Sequence, residues 1–177
     1  MLSTVTDQLS MSSAKSGSEI LAARDRRQEQ LDERFSEGRL VTVTVSLNIP
    51  GPDKNPPGVT ELFSWALSRL LDRFPDSANL LQSEDQLGPF AVISLDREAR
   101  GVKRACIAME DAEPFARLVD FDVYDGCGSQ VDRAALGVLP RSCLVCDQAA
   151  VDCIRLRRHN AEDLLERSYE LLALCRH

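Results

Sequence analysis

No stretch of this sequence approaches the roughly 20 consecutive apolar residues that a helix needs to cross a bilayer. The opening residues, MLSTVTDQLSMSSAKSGS, also lack the continuous apolar run of a secretory signal. An excess of positive charge is missing as well. The formal net charge is -7, which disfavours nucleic acid and anionic membrane as partners, because both need a cationic surface. There is no internal repeat. These absences point to a cytoplasmic chain that engages neither nucleic acid nor membrane.

What remains is the composition of an ordinary folded domain. The 177 residues are 44% hydrophobic and 28% charged, enough apolar content for one substantial core and too short a chain for two. Six cysteines without an export signal read as thiols or metal ligands rather than disulfides.

Residues 1–17 are rich in Ser and Thr and show no apolar period, so the expectation is a disordered, mobile tail over 1–17 and one domain over 18–177. Ser16 and Glu19 have capping-box spacing, and Ile20, Ala23, Arg27, Leu31 and Phe35 follow a helical stripe ending near Gly38. Leu40 to Ile49 alternates aliphatic and hydroxyl residues, placing Val41, Val43, Val45 and Leu47 on one face of a strand. Pro50, Pro52, Pro56 and Pro57 then force a loop. A core-facing helix follows from Val59 to Phe74, stopped by Pro75. Phe90 to Leu95 and Ala105 to Met109 read as two short strands separated by the charged segment 96–104. Asn160 caps a terminal helix carrying Leu164, Leu165, Ser168 and Leu172. Strands and helices do not alternate regularly, so the predicted class is α+β, a mainly antiparallel sheet flanked by helices, rather than a doubly wound parallel sheet.

Two patterns carry chemistry. Val119, Phe121 and Val123 alternate with Asp120 and Asp122, so the two carboxylates emerge on one strand face roughly 6.6 Å apart. Such a like-charged pair suits a hard divalent cation, magnesium, that organises phosphates. A strand with one wet face explains the same pattern. Further on, Cys143, Cys146, Cys153 and His159 supply three thiolates and one imidazole, a complete tetrahedral set for structural zinc. Buried cysteines and a polar histidine are the alternative. Because Cys153 and His159 are six apart, the chain must bend between them to close such a site. Arg97, Arg100, Lys103 and Arg104 form one cationic group and Arg155, Arg157 and Arg158 another. Either can hold a polyphosphate or an acidic protein surface. Lys54, beside Gly51 and Asn55 in the proline loop, can offer an ammonium to phosphate, although the loop is not a Walker motif.

Several of these segments follow one another in a particular order: Arg24, Asp25, Arg27 and Gln28; Pro50, Gly51, Pro52 and Lys54; Pro114, Arg117, Leu118, Asp120, Asp122 and Val123; then Leu139, Pro140, Arg141, Cys143, Leu144, Cys146, Ala150, Cys153, Arg155 and His159. In this the chain resembles the apo-citrate lyase phosphoribosyl-dephospho-CoA transferases, also called citrate lyase holo-acyl-carrier-protein synthases. It departs from them at Ala116 and Val119, where glycine and an aromatic residue are expected. The resemblance implies a nucleotidyltransferase that moves the phosphoribosyl-dephospho-CoA group from 2'-(5''-triphosphoribosyl)-3'-dephospho-CoA to a serine of the citrate lyase acyl carrier (gamma) subunit, releasing diphosphate. On that reading Asp120 and Asp122 are catalytic and hold magnesium, while Arg117, Arg104 and Lys54 bind phosphate. Asp122 and Glu110 are the conceivable bases. A zinc-stabilised adaptor for an acyl carrier protein, and the equivalent transferase of malonate decarboxylase, are the alternatives.

Overall fold

The computed structural model describes residues 3–36, 38 and 41–176, with side chains from residue 17 onward. Of the expected tail over 1–17, residues 1–2 and the side chains of residues 1–16 lie outside what is described. The helical backbone of α1 is continuous over Ser3–Ser36, so the start expected at about 18 is not a break in it. Strand β1 (Val41–Leu47), helix α2 (Val59–Arg73), strands β2 (Ala78–Asp85) and β3 (Gly88–Leu95), helix α3 (Ala99–Glu110), strand β4 (Val119–Asp125) and helices α4 (Ala150–Leu156) and α5 (Ala161–Cys175) follow. The strands form one antiparallel sheet in the order β2-β3-β1-β4. The α+β class expected from the sequence is the class observed.

Central β1 buries both of its faces. Val41, Val43 and Val45 join Phe121, Val123, Ile93 and the apolar stripes of α2, α3 and α5 in the main core. Thr42 and Thr44, on the opposite face, are also buried, because α1 lies across that side. There Leu31 and Phe35 pack on Phe90, Val92 and Tyr124. The end of the sheet is pinned to α1 by Arg27, whose guanidinium donates to both oxygens of Asp85 at 2.9 and 2.7 Å and to the carbonyl of Gly88 at 2.7 Å.

Two expectations fail. The run Ala105 to Met109 is not a strand; it is the second half of α3. Its buried positions, Val102, Lys103, Cys106, Ile107 and Glu110, have three-and-four spacing, but the two charged residues among them mask the helical stripe and leave only a short apolar run visible. Glu98 caps the helix by accepting from the amides of Arg100 and Gly101 at 2.8 and 2.6 Å. Strand β2, in turn, has no counterpart in the sequence reading. It is an exposed edge strand with a bulge between Ala78 and Leu81, so it carries little of the alternation that burial imposes on interior strands.

Candidate functional site

Strand β4 presents the aspartates as the alternation requires. Val119, Phe121 and Val123 are fully buried, and Asp120 and Asp122 share the other face, opposite Ser46 and Thr44 of β1. Each carboxylate is partly compensated. Asp120 Oδ1 accepts from Arg141 at 3.1 Å, and Asp122 Oδ1 accepts from Gln130 Nε2 at 2.7 Å. Burial, reinforced by the charge of Asp120, holds the Asp122 carboxyl above the ordinary aspartate range. Arg141 and Gln130 offset the repulsion within the pair only in part, and a bound cation would reduce it further. Among the described residues no third carboxylate joins it in metal-ligating geometry, so further ligands would have to come from water or substrate oxygens.

Arg141 organises the surroundings. Its guanidinium reaches Glu110 Oε1 at 2.5 Å and the carbonyl of Val119 at 2.9 Å as well as Asp120. Glu110, only 2% exposed at its side chain, also pairs with Arg133 at 2.9 Å and accepts from the amide of Phe121 at 3.1 Å. A carboxylate so fully engaged is a structural anchor. Glu110, Arg133 and Arg141, with Arg117 and Leu139, line a cleft of about 300 Å³ to which neither Asp120 nor Asp122 contributes. Neither Arg133 nor Arg141 was given a role from the sequence. The signal available was the ProArg pair at 140–141 just ahead of the first cysteine of the cluster.

The other expected phosphate ligands are dispersed. Arg117 stands near Arg141, donating to Ser142 Oγ and O at 3.1 and 3.2 Å and to the Cys143 carbonyl. Arg104 is elsewhere, in a groove between α2 and α3 with Arg69 and Arg73. Lys54 donates to the carbonyl of Ile49 at 2.5 Å, and burial lowers its ammonium from the ordinary lysine value. The cationic group at 97–104 does not act together: Arg97 pairs with Asp76 at 2.7 Å and Lys103 is buried, donating to the Phe121 carbonyl at 2.7 Å.

The cysteines and histidine do converge. Cys143 and Cys146 sit on a tight turn closed by Cys143 N to Gln148 O at 2.7 Å and Ala150 N to Arg141 O at 2.8 Å. Cys153 lies on α4, which stops where Arg157 takes φ 46, and this left-handed residue provides the bend that returns His159 to the cluster. All four ligand atoms fall within 4.8 Å of one another, with Cys146 Sγ to Cys153 Sγ at 3.5 Å and His159 Nε2 to Cys146 Sγ at 3.2 Å. A tetrahedral ion with Zn–S of 2.3 Å would separate thiolates by roughly 3.8 Å, so the set fits a metal such as zinc. Burial and the neighbouring thiols push Cys153 up to about 11. Burial acts the same way on Cys143, but the amides of Val145 and Cys146, together with the Cys153 and Cys146 thiols, outweigh it and lower that thiol.

The family profile of the apo-citrate lyase phosphoribosyl-dephospho-CoA transferases matches residues 16–174. The chain belongs to that family. Proteins of this name from Escherichia coli O139:H28 (strain E24377A / ETEC) and O8 (strain IAI1) are each 31% identical over 158 residues, covering 87% of this chain and 86% of theirs. A third, from Escherichia coli O1:K1 / APEC, is equally similar. The family's members are named as transferases, and the chain is an enzyme of that class. Among the described residues no helix is long and apolar enough to cross a membrane. The departure at Ala116 falls in the turn Pro114–Leu118, where its methyl is fully buried and faces no cleft.

Proposed function

We propose that this transferase moves the phosphoribosyl-dephospho-CoA group from its triphosphate precursor to a serine of the citrate lyase acyl carrier subunit, using Asp120, Asp122 and Arg141. The supporting observation is a pair of same-face carboxylates of which one, Asp120, meets a guanidinium that is itself fixed by Glu110. Magnesium, when bound at the two aspartates, supplies charge neutralisation and polarisation of the phosphate under attack. Arg141 and Arg117 orient phosphate oxygens from the neighbouring clefts. The serine Oγ attacks the α-phosphorus, the bond to the bridging α–β oxygen breaks, diphosphate leaves, and the hydroxyl proton is released. Of the two carboxylates considered as base, Glu110 is held by two arginines and Asp122 is assigned to the cation, so the hydroxyl proton leaves to water in the cleft. Catalysis is then mainly positioning and electrostatics.

Structural zinc in the Cys143, Cys146, Cys153 and His159 set completes the proposal. Those residues hold the turn from which Arg141 and Ser142 emerge, so an ion there fixes the chain on which the guanidinium sits.

Incubation with apo carrier and the triphosphate donor, read by mass spectrometry, tests the transfer. Asp120→Asn and Asp122→Asn are each expected to lower the rate at least a hundredfold, on the order of removing one electrostatic stabiliser. Wild-type rates in both variants would overturn the assignment.

A further inference from the structure

Beyond the reacting centre, a second cleft of about 480 Å³ lies between the cysteine turn, α4, α5 and the proline loop. Its walls are largely apolar, with Pro50, Leu144, Ala150, Ile154 and Leu164 prominent, and Arg117, Arg141 and Arg157 line it as well. That size and chemistry suit an extended small molecule with an apolar body and an anionic end.

The cleft adjoins the aspartate face at Arg141, although neither Asp120 nor Asp122 lines it. Asn48 borders it and follows by two residues Ser46, the β1 partner of Asp120. Successive same-face positions on a strand are roughly 6.6 Å apart. Arg141 forms the other link, lining the cleft while donating to Asp120 at 3.1 Å. A ligand whose phosphate lies at the aspartates can therefore extend its remaining body into this space. The other large groove lacks such a connection. It lies between α2 and α3, helices that pack on the Val41 and Phe121 side of the sheet, away from the face that carries Asp120 and Asp122.

We infer that this apolar cleft binds the dephospho-CoA body of the donor, its adenine and pantetheine portions lying along Leu144, Ile154 and Leu164 with Arg117 and Arg141 turned to the phosphates. The assignment rests on the transfer reading above. The carrier protein is the less suitable occupant, because a concave space of this size admits a small-molecule chain, whereas a protein surface needs a broad, shallow contact. The metal-ligand turn then has a second consequence: it forms one wall of the donor site.

Ile154→Gln and Leu164→Gln test this, since Ile154 is 76% exposed and Leu164 is half-buried. In the transfer assay each variant should raise the KM for the donor about tenfold, on the scale of losing one aliphatic contact. The inhibition constant of dephospho-CoA should rise by the same factor. Inhibition by inorganic pyrophosphate and the KM for the carrier should stay within about twofold of wild type. A raised carrier KM with unchanged dephospho-CoA inhibition would overturn the inference and make the cleft a carrier-docking surface. Calorimetric titration with dephospho-CoA separates this from the transfer reading. Binding that weakens in both variants supports the cleft assignment even if the wild type modifies no carrier. Binding that is indifferent to both variants rejects it even if transfer proceeds.

Discussion

Glu110 illustrates how a single side chain holds the site. It is buried, yet it meets two guanidinium groups and a backbone amide, so its charge is compensated by donors from three segments. Glu110→Ala would leave Arg133 and Arg141 without that anion and should destabilise the protein by roughly 3–5 kcal/mol; urea unfolding measures this, and a loss below about 1 kcal/mol would mean that water replaces the carboxylate easily. Tyr124 reports the aspartates from the same strand. Burial, then the charges of Asp122 and Asp120, push its phenol up to about 12. The native phenol keeps its proton where the unfolded chain, ionising at about 10, releases it. Its contribution to stability is therefore complete below about 10 and is lost as pH rises toward about 12. In an ultraviolet titration, Asp122→Asn should let Tyr124 ionise at lower pH. An unchanged curve would contradict the placement of Tyr124 beside the pair.

At the scale of elements, α5 is seated on the start of α2 through Gly58. This residue has φ 104, and a Cβ built on it would lie 3.0 Å from the carbonyl oxygen of Leu172 and 3.1 Å from its Cβ. Gly58→Ala combines a disfavoured backbone with a crowded contact and should cost about 1–3 kcal/mol, seen as a lower urea midpoint and faster amide exchange in α5. The helices also show how far local patterns reach. The stripe of α2 and the Asn160 cap of α5, whose Oδ1 accepts from the amide of Asp163 at 2.7 Å, were legible because their burial or capping is expressed in consecutive residues. Helix α3 was not, because its buried Lys103 and Glu110 serve β4, a partner that no local window contains.

Across the whole molecule, the cysteine turn and α4 stand beside the main core rather than within it: Leu144 packs against that core, but Cys143 and Cys153 are outside it. On the zinc reading proposed above, treatment with a chelator, or Cys143→Ser, should accordingly raise amide exchange across residues 141–160 while β1 and β3 stay protected. Uniform loss of protection would show the turn to be integral to the sheet's stability. The family profile and the order of its motifs needed only the sequence, as did the alternation that puts Asp120 with Asp122 and the ligand types of the Cys and His set, because each is written in residue identity and short-range spacing. The tertiary structure decided the rest. Arg141 stands against Asp120 and Glu110, Arg104 is carried to another groove, and a left-handed Arg157 returns His159 to the thiols. Charges and ligands meet through packing between segments distant in the chain, and neither periodicity nor composition records which of those segments will touch.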